Sequence, residues 1–106
     1  LKDVAGMLRS FHYASQVALF ERDQGEREAL APVAMAWEER NRQAFLRGYR
    51  EAKGIDDLLP TDEEAFRAVL LAFELDKAVY ELAYERDHRP DWTHIPLQAI
   101  RRTVGS

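Results

Sequence analysis

A line of charged side chains runs along one predicted helix of this chain. Its members recur at steps of three and four residues, and they are Glu74, Lys77, Glu81 and Glu85. Tyr80 and Tyr84 lie within one turn of Glu81, and Arg89 follows at the helix end. Carboxylates and cations that hydrogen-bond hydroxyls, beside aromatic faces that cover C–H surface, would form a carbohydrate or other polyol site. The alternative is a solvated helix edge that carries Glu–Lys pairs.

The segment that carries this line is apolar on nearly all sides. Two sets of residues fall at helical spacing on opposite faces: Phe66, Val69, Leu70, Phe73, Tyr80 and Tyr84, and Ala68, Leu71, Leu75, Val79 and Leu82. A helix of this kind is predicted to be buried between neighbours. Charges on a buried helix are costly unless they are paired or functional.

The composition favours one all-α domain spanning residues 1–106. Helix formers dominate the 106 residues and only 5 are glycine, which predicts helices rather than strands. The net charge of −4 argues against a nucleic-acid partner, because such proteins need a basic face. With no cysteine, disulfides and thiolate chemistry are excluded. No apolar run approaches the roughly 20 residues of a membrane span.

Four helices are predicted, three long and one short, and they form a helical bundle. The predicted ranges are Asp3–Glu21, Glu26–Lys53, Thr61 to about Asp87, and Leu97–Thr103. The face predicted to be buried on the first helix consists of Val4, Met7, Leu8, Phe11, Ala14, Ser15 and Ala18.

Breakers and caps mark the ends of these helices. The triplet Asp23-Gln24-Gly25 should end the first helix, and Pro32 should either kink the second or mark its first turn. Gly54 follows the last basic residue of the second helix, and 55–60 is a short loop. The sequence Thr61-Asp62-Glu63-Glu64 forms a capping box, and the segment 88–92 ends the third helix at Pro90.

The chain carries no set of residues typical of a catalyst or a metal centre. His12, His88 and His94 do not have the spacing of a helical metal site. Neither a nucleophile elbow nor a glycine-rich phosphate loop is present. The sequence therefore predicts no catalytic residue and no metal ligand within this chain.

Two stretches resemble bacterial maltokinases, which are themselves similar to aminoglycoside phosphotransferases and, more distantly, to protein kinases. Lys2–Ala14 resembles the helix that follows the metal-binding loop of these enzymes. The stretch Phe73–Trp92, with Ile95-Pro96-Leu97, is similar to their C-terminal signature, in which a Leu-Asp-Lys-Ala-x-Tyr-Glu helix precedes Asn/His-Arg-Pro-x-Trp. The resemblance implies the C-terminal portion of a kinase-like C-lobe, about the last quarter of the enzyme.

The resemblance implies a cytoplasmic, ATP-dependent sugar kinase that makes maltose 1-phosphate in α-glucan and trehalose metabolism. ATP and Mg²⁺ would be bound upstream, where a His-Gly-Asp catalytic loop and a second magnesium-binding acid are expected. This chain begins without Met inside a predicted helix, so we expect an excised or processed piece that is inert alone. Its implied partners are maltose or a related sugar, the rest of the enzyme, and a fused or associated trehalose synthase.

The resemblance also implies roles for individual residues. Asp3 matches the acid that hydrogen-bonds the catalytic-loop backbone and holds it rigid. The residues expected to face the sugar are Glu81, Tyr84 and Arg89, with Lys77 and Tyr80 as weaker candidates. Trp92 is expected to anchor the final helix by packing rather than to bind sugar.

Two other functions remain open at this point. The first is a related kinase for another sugar such as glucosamine, because Glu81 and Arg89 suit either acceptor. The second is a free-standing helical interaction module with no enzyme attached, which would offer an apolar groove to a partner helix.

Overall fold

The described part of the chain is entirely helical apart from short connections. A computed structural model describes residues 1–52 and 63–104, and within them there is no β-strand. The elements are α1 (Lys2–Phe20), α2 (Gln24–Glu51), α3 (Glu63–His88), a 3₁₀ turn (Pro90–Trp92) and α4 (His94–Val104). The predicted all-α class is thereby confirmed.

The connection between α1 and α2 is shorter than the sequence predicted, because Asp23 caps a helix rather than breaking one. Its Oδ1 atom accepts a hydrogen bond of 2.9 Å from the backbone N–H of Glu26, so Gln24 and Gly25 already belong to α2. Pro32 therefore lies inside α2 and not in its first turn. A side chain of α2 caps the C-terminal end of α1. The guanidinium of Arg27 donates hydrogen bonds to the backbone carbonyls of Phe20 and Arg22, at 2.8 and 2.7 Å.

We expect the Asp23 cap to contribute stability that disappears in acid. The hydrogen bond from the Glu26 backbone lowers the pKa of Asp23 below its ordinary value of 3.8. The cap therefore contributes its full stabilisation above pH 3.8, and this stabilisation is lost as the pH falls through the lowered pKa of Asp23. Urea unfolding should find Asp23→Ala less stable than wild type at pH 7, with the difference shrinking below pH 3.8. Glu21→Ala, at an exposed position outside the cap, is the control, and an equal loss there would contradict the capping role.

The end of α3 agrees with the prediction, but the start of α4 does not. Helix α3 ends at His88, as the proline predicted, but α4 begins at His94, three residues before the predicted Leu97. Pro96 fits within the first turn of α4, where a missing N–H costs no helical hydrogen bond. The hydroxyl of Thr93 donates to the carbonyl of Pro90 at 2.9 Å and joins the 3₁₀ turn to α4. The predicted capping box, Gly54 and the 55–60 loop fall wholly or partly outside the described residues.

The chain divides into two compact units, one comprising Leu1–Arg9 and Asp62–Ser106, the other Ser10–Thr61. The boundary falls inside α1. In the first unit, α3 packs against α4 and the 3₁₀ turn. The buried apolar residues of this unit are Val4, Ala5, Leu8, Phe66, Leu70, Ala78, Ile95 and Pro96.

In the second unit, aromatic rings join α1 to α2. The ring of Phe11 meets Trp37 and Phe45 edge-on, with centroids 6.2 and 6.1 Å apart, and Phe45 stacks on Tyr49. Nearer the end of α1 the two helices leave a groove of about 330 Å³. It is lined by Ala14, Ser15, Ala18, Leu19, Arg22, Leu30, Val33, Ala34 and Trp37.

The buried face of α1 is rotated from the predicted one. The buried residues are Val4, Ala5, Leu8, Arg9, His12 and Ser15, whereas Met7, Ala14 and Ala18 are exposed. Arg9 and His12 were not expected inside, because charged and polar side chains are seldom fully buried unless they have partners. The apolar pattern alone was therefore a poor guide to which face of α1 packs.

The prediction that α3 is buried all round is wrong. Phe66, Leu70, Ala78 and Glu85 are buried, whereas Val79 and Tyr80 are 53% and 68% exposed. Three residues of the charged line, Glu74, Glu81 and Glu85, continue the side of Leu70 and Ala78 at three- and four-residue steps, whereas Lys77 is exposed. The packed side of α3 thus carries buried charge, and the opposite side presents apolar residues outward.

Candidate functional site

The end of α3 carries an arginine held by a buried carboxylate. Arg89 Nε donates to Glu85 Oε1 at 2.8 Å, and Arg89 Nη2 donates to Glu85 Oε2 at 3.0 Å. The Glu85 side chain is 1% exposed and that of Arg89 is 47% exposed. Two parallel charge-assisted hydrogen bonds fix the plane of the guanidinium, so Arg89 is a pre-oriented cation whose outer part reaches the surface.

Aromatic rings surround the same guanidinium. The Arg89 Cζ atom lies 4.0 Å from the centroid of the Trp92 ring and 5.8 Å from that of Tyr84. Tyr84 in turn stacks on His88, with centroids 4.3 Å apart and planes 15° apart. We call Tyr84, Glu85, His88, Arg89 and Trp92 the Arg89 cluster.

The local sequence explains how this cluster forms. His88 is one helical turn beyond Tyr84, and Arg89 is one turn beyond Glu85, so the side chains of each pair meet along the helix. Pro90 then excludes the helical conformation for Arg89, whose φ and ψ are −140° and 73°. The 3₁₀ turn that follows brings Trp92 back over Arg89, and the Trp92 N–H donates to the Arg89 carbonyl at 2.8 Å.

Glu81, two turns before Arg89, belongs to a different contact. Arg9 Nε of α1 donates to Glu81 Oε1 at 2.8 Å, and the two side chains are only 6% and 14% exposed. Burial raises the pKa of Glu81 above its ordinary value of 4.5, although Arg9 and Lys77 oppose the rise. The nearby Glu85 carboxylate adds to the rise.

The other predicted residues lie at exposed positions. Tyr80 points outward, Lys77 is exposed, and Asp3 lies in the exposed first turn of α1. A Cβ added at Gly6 would meet Lys77 Cε at 3.6 Å, so α1 passes close to the Lys77 side chain.

The structure brings only some of the predicted residues together. Tyr84 and Arg89 meet in the Arg89 cluster, whereas Glu81 lies about 12 Å from Arg89 along the helix axis, as eight residues of helical rise require. Gly6 lies against Lys77 and Arg9 against Glu81, so α1 passes α3 in the same direction and Asp3 lies on the side away from Arg89. Asp3 therefore lies near the level of the middle of α3, away from the Arg89 cluster.

Sequence reasoning missed Glu85 and His88 as members of the cluster, and Arg9 as the partner of Glu81. The signal for Glu85 was available, because a Glu four residues before an Arg is a standard helical ion pair. Arg9 carried no such signal, since its partner lies 72 residues away in the sequence. Trp92 was expected to act by packing, and its ring is half-buried under Arg89.

The raised pKa of Glu81 gives an expected pH dependence of stability. Because the folded state holds a proton on Glu81 more tightly than the unfolded state, the unfolding free energy should fall as the pH rises from 4.5 through the raised pKa. Glu81→Gln should remove this fall. Urea unfolding between pH 4 and pH 8 measures it, with Glu39→Gln, an exposed glutamate, as control. The same pH slope in wild type and Glu81→Gln would contradict the assignment.

Among the described residues, no group of three or more histidine and carboxylate side chains lies close enough to hold a metal ion. In the same part of the chain, every helix is too short or too polar to cross a membrane. No protein-family model matches the chain.

Proposed function

We propose that this chain is the acceptor-binding helical part of an ATP-dependent sugar kinase, and that the enzyme is a maltokinase that converts ATP and maltose into maltose 1-phosphate. The observation that supports this function best is the Arg89 cluster. It presents a fixed guanidinium beside the faces of Tyr84 and Trp92, at a half-exposed position. The guanidinium can donate hydrogen bonds to sugar hydroxyls, while the exposed carbon of Tyr84 contacts the C–H groups of the sugar.

In this proposal the residues of the chain bind and orient the acceptor, and the phosphoryl chemistry belongs to the part of the enzyme upstream. Arg89 and Tyr84 contact the sugar, and the exposed Tyr80 and Lys77 extend the binding surface along α3. Asp3, which lies away from the Arg89 cluster, supports the catalytic loop. ATP and Mg²⁺ bind outside this chain and supply the γ-phosphoryl group and its charge neutralisation.

The nature of the cluster favours a neutral acceptor over an amino sugar. The group that reaches the surface is the Arg89 cation, whereas the Glu85 carboxylate is buried behind it. A cation at the surface repels the ammonium group of glucosamine and has no such effect on a hydroxyl.

The test is an acceptor screen of the full-length protein that contains this chain. With ATP and Mg²⁺, maltose should be phosphorylated in preference to glucose and glucosamine. Maltose as the poorest of the three acceptors would contradict the choice of sugar. An upstream sequence without a His-Gly-Asp type of loop and a second magnesium-binding acid would contradict the kinase itself.

The groove of the second unit favours a second candidate, a helical interaction module. Its walls are mostly apolar, and Val33 and Trp37 remain exposed beside it. This candidate predicts that the 106-residue chain unfolds cooperatively alone and captures an amphipathic helix in the groove. Val33→Asp would abolish that capture, whereas it would leave sugar phosphorylation by a full-length kinase intact.

A further inference from the structure

The first unit buries apolar residues on both α1 and α3, and the Arg9–Glu81 ion pair joins the two helices. Val4, Ala5 and Leu8 are buried on α1, and Phe66, Leu70 and Ala78 on α3. Apolar burial is non-directional, so it tolerates a shift of one helix along the other at modest cost. The hydrogen bond from Arg9 to Glu81 does not tolerate such a shift, because its 2.8 Å distance can be made at one register of the two helices only.

Two contacts show the direction and register of the helices. Gly6 lies against Lys77, and Arg9 lies against Glu81, so three residues along α1 correspond to four along α3. The two segments therefore run parallel. A slip by one turn would move Asp3 by about 5.4 Å relative to Arg89.

The buried pair is poorly suited to a role in stability. Burial raises the pKa of Glu81 despite the neighbouring cations, which means that the ionised carboxylate is held at a cost. Replacing a buried ion pair with apolar residues of similar size is often neutral or stabilising, and such pairs are best known for specifying register.

We propose that the Arg9–Glu81 ion pair fixes the axial register of α1 against α3, which makes Arg9 a positioning residue for the acceptor site. The inference rests on the proposed function where it concerns the acceptor, because the register sets the separation between Asp3 and Arg89. The register itself is a property of this chain and is testable without any activity.

The first test measures register directly by distances between spin labels. The chain has no cysteine, so Lys2→Cys and Ala83→Cys, both at exposed positions of the first unit, place two labels unambiguously. Double electron-electron resonance spectroscopy should give one narrow distribution of the distance between the two labels. The double variant Arg9→Met/Glu81→Leu should broaden it or shift it by several Å, on the order of the 5.4 Å of one helical turn.

The matched control is the exposed pair Arg22–Glu26, whose double variant Arg22→Met/Glu26→Leu should leave the distribution unchanged. Circular dichroism verifies that each variant retains its helices. Arg9→Lys, which keeps a cation opposite Glu81, should retain most of the narrow distribution. It provides the test of register if the apolar double variant unfolds. An unchanged distribution in a folded Arg9→Met/Glu81→Leu protein, or broadening in Arg9→Lys equal to that in a folded Arg9→Met/Glu81→Leu protein, would overturn the proposal.

The second test separates this inference from the proposed function. In the full-length enzyme, the apolar double variant should lower kcat/KM for the acceptor about tenfold to a hundredfold, since displacements of about 1 Å have effects of this size. Arg9→Lys should restore most of the activity. A wild-type protein that phosphorylates no sugar would contradict the proposed function and leave the spin-label result standing. An active enzyme whose double variant matches wild type would overturn the positioning role alone.

Discussion

In the full-length sugar kinase that we propose, replacing Arg89 by alanine should lower kcat/KM for the acceptor sugar about tenfold to a hundredfold. The substitution removes a charge-assisted hydrogen bond of roughly 1.5–3 kcal/mol to a sugar hydroxyl. The KM for ATP should stay near the wild-type value, because the nucleotide is proposed to bind upstream of this chain. Steady-state kinetics with sugar and ATP varied in turn measure both effects.

The neighbouring Arg86 provides the matched control for this substitution. It is an exposed arginine on the same helical turn that pairs with Asp87 and has no place in the Arg89 cluster. Arg86→Ala should leave both kinetic constants within about twofold of wild type. Equal losses for sugar and ATP in Arg89→Ala would assign Arg89 to the scaffold, where its pair with Glu85 would be structural.

The second large effect concerns the stability of the folded chain. Glu85→Ala should lower the unfolding free energy by about 3 kcal/mol, because it removes a fully buried carboxylate and leaves Arg89 without its bidentate acceptor. The cost should lie near the lower end for buried pairs, since the half-exposed guanidinium can turn towards water. Glu85→Gln should lose less, because the amide oxygen still accepts one hydrogen bond from Arg89.

A double-mutant cycle isolates the pair from the cavity that alanine leaves. The coupling energy between Glu85→Ala and Arg89→Ala should exceed about 1 kcal/mol, whereas the exposed Arg22–Glu26 pair should give about 0.3–0.5 kcal/mol. Chemical denaturation of the single and double variants supplies both cycles. Similar coupling in the two pairs would show that burial of Glu85 adds nothing to the interaction.

Local chemistry in the sequence was sufficient to predict the helices. The apolar period, the scarcity of glycine and Pro90 predicted the ends of α1, α2 and α3 to within one to three residues of the ends that the structure describes. Two local signals were interpreted wrongly. Asp23 caps α2 because its carboxylate accepts from the Glu26 N–H, and Pro96 enters α4 because the first helical turn needs no N–H donor.

The site was predictable only where its members are neighbours along one helix. Tyr84, Glu85, His88 and Arg89 meet because helical spacing requires it, and the sequence pointed to two of the four as binding residues. The return of Trp92 over Arg89 depends on the backbone conformation set by Pro90 and the 3₁₀ turn. That geometry has no signature in residue spacing alone.

The sequence by itself determined which segments are helical and that one helix carries charge at helical spacing. Only the tertiary structure decided which side of each helix is packed. Periodicity shows that two stripes lie on opposite faces, but α3 is apolar on most of its circumference, so the pattern could not identify the buried side. The partner that identifies this side is Arg9, 72 residues away in the sequence: it pairs with the Glu81 carboxylate inside the unit, so Glu81 and Glu85 face inward whereas Lys77 stays exposed.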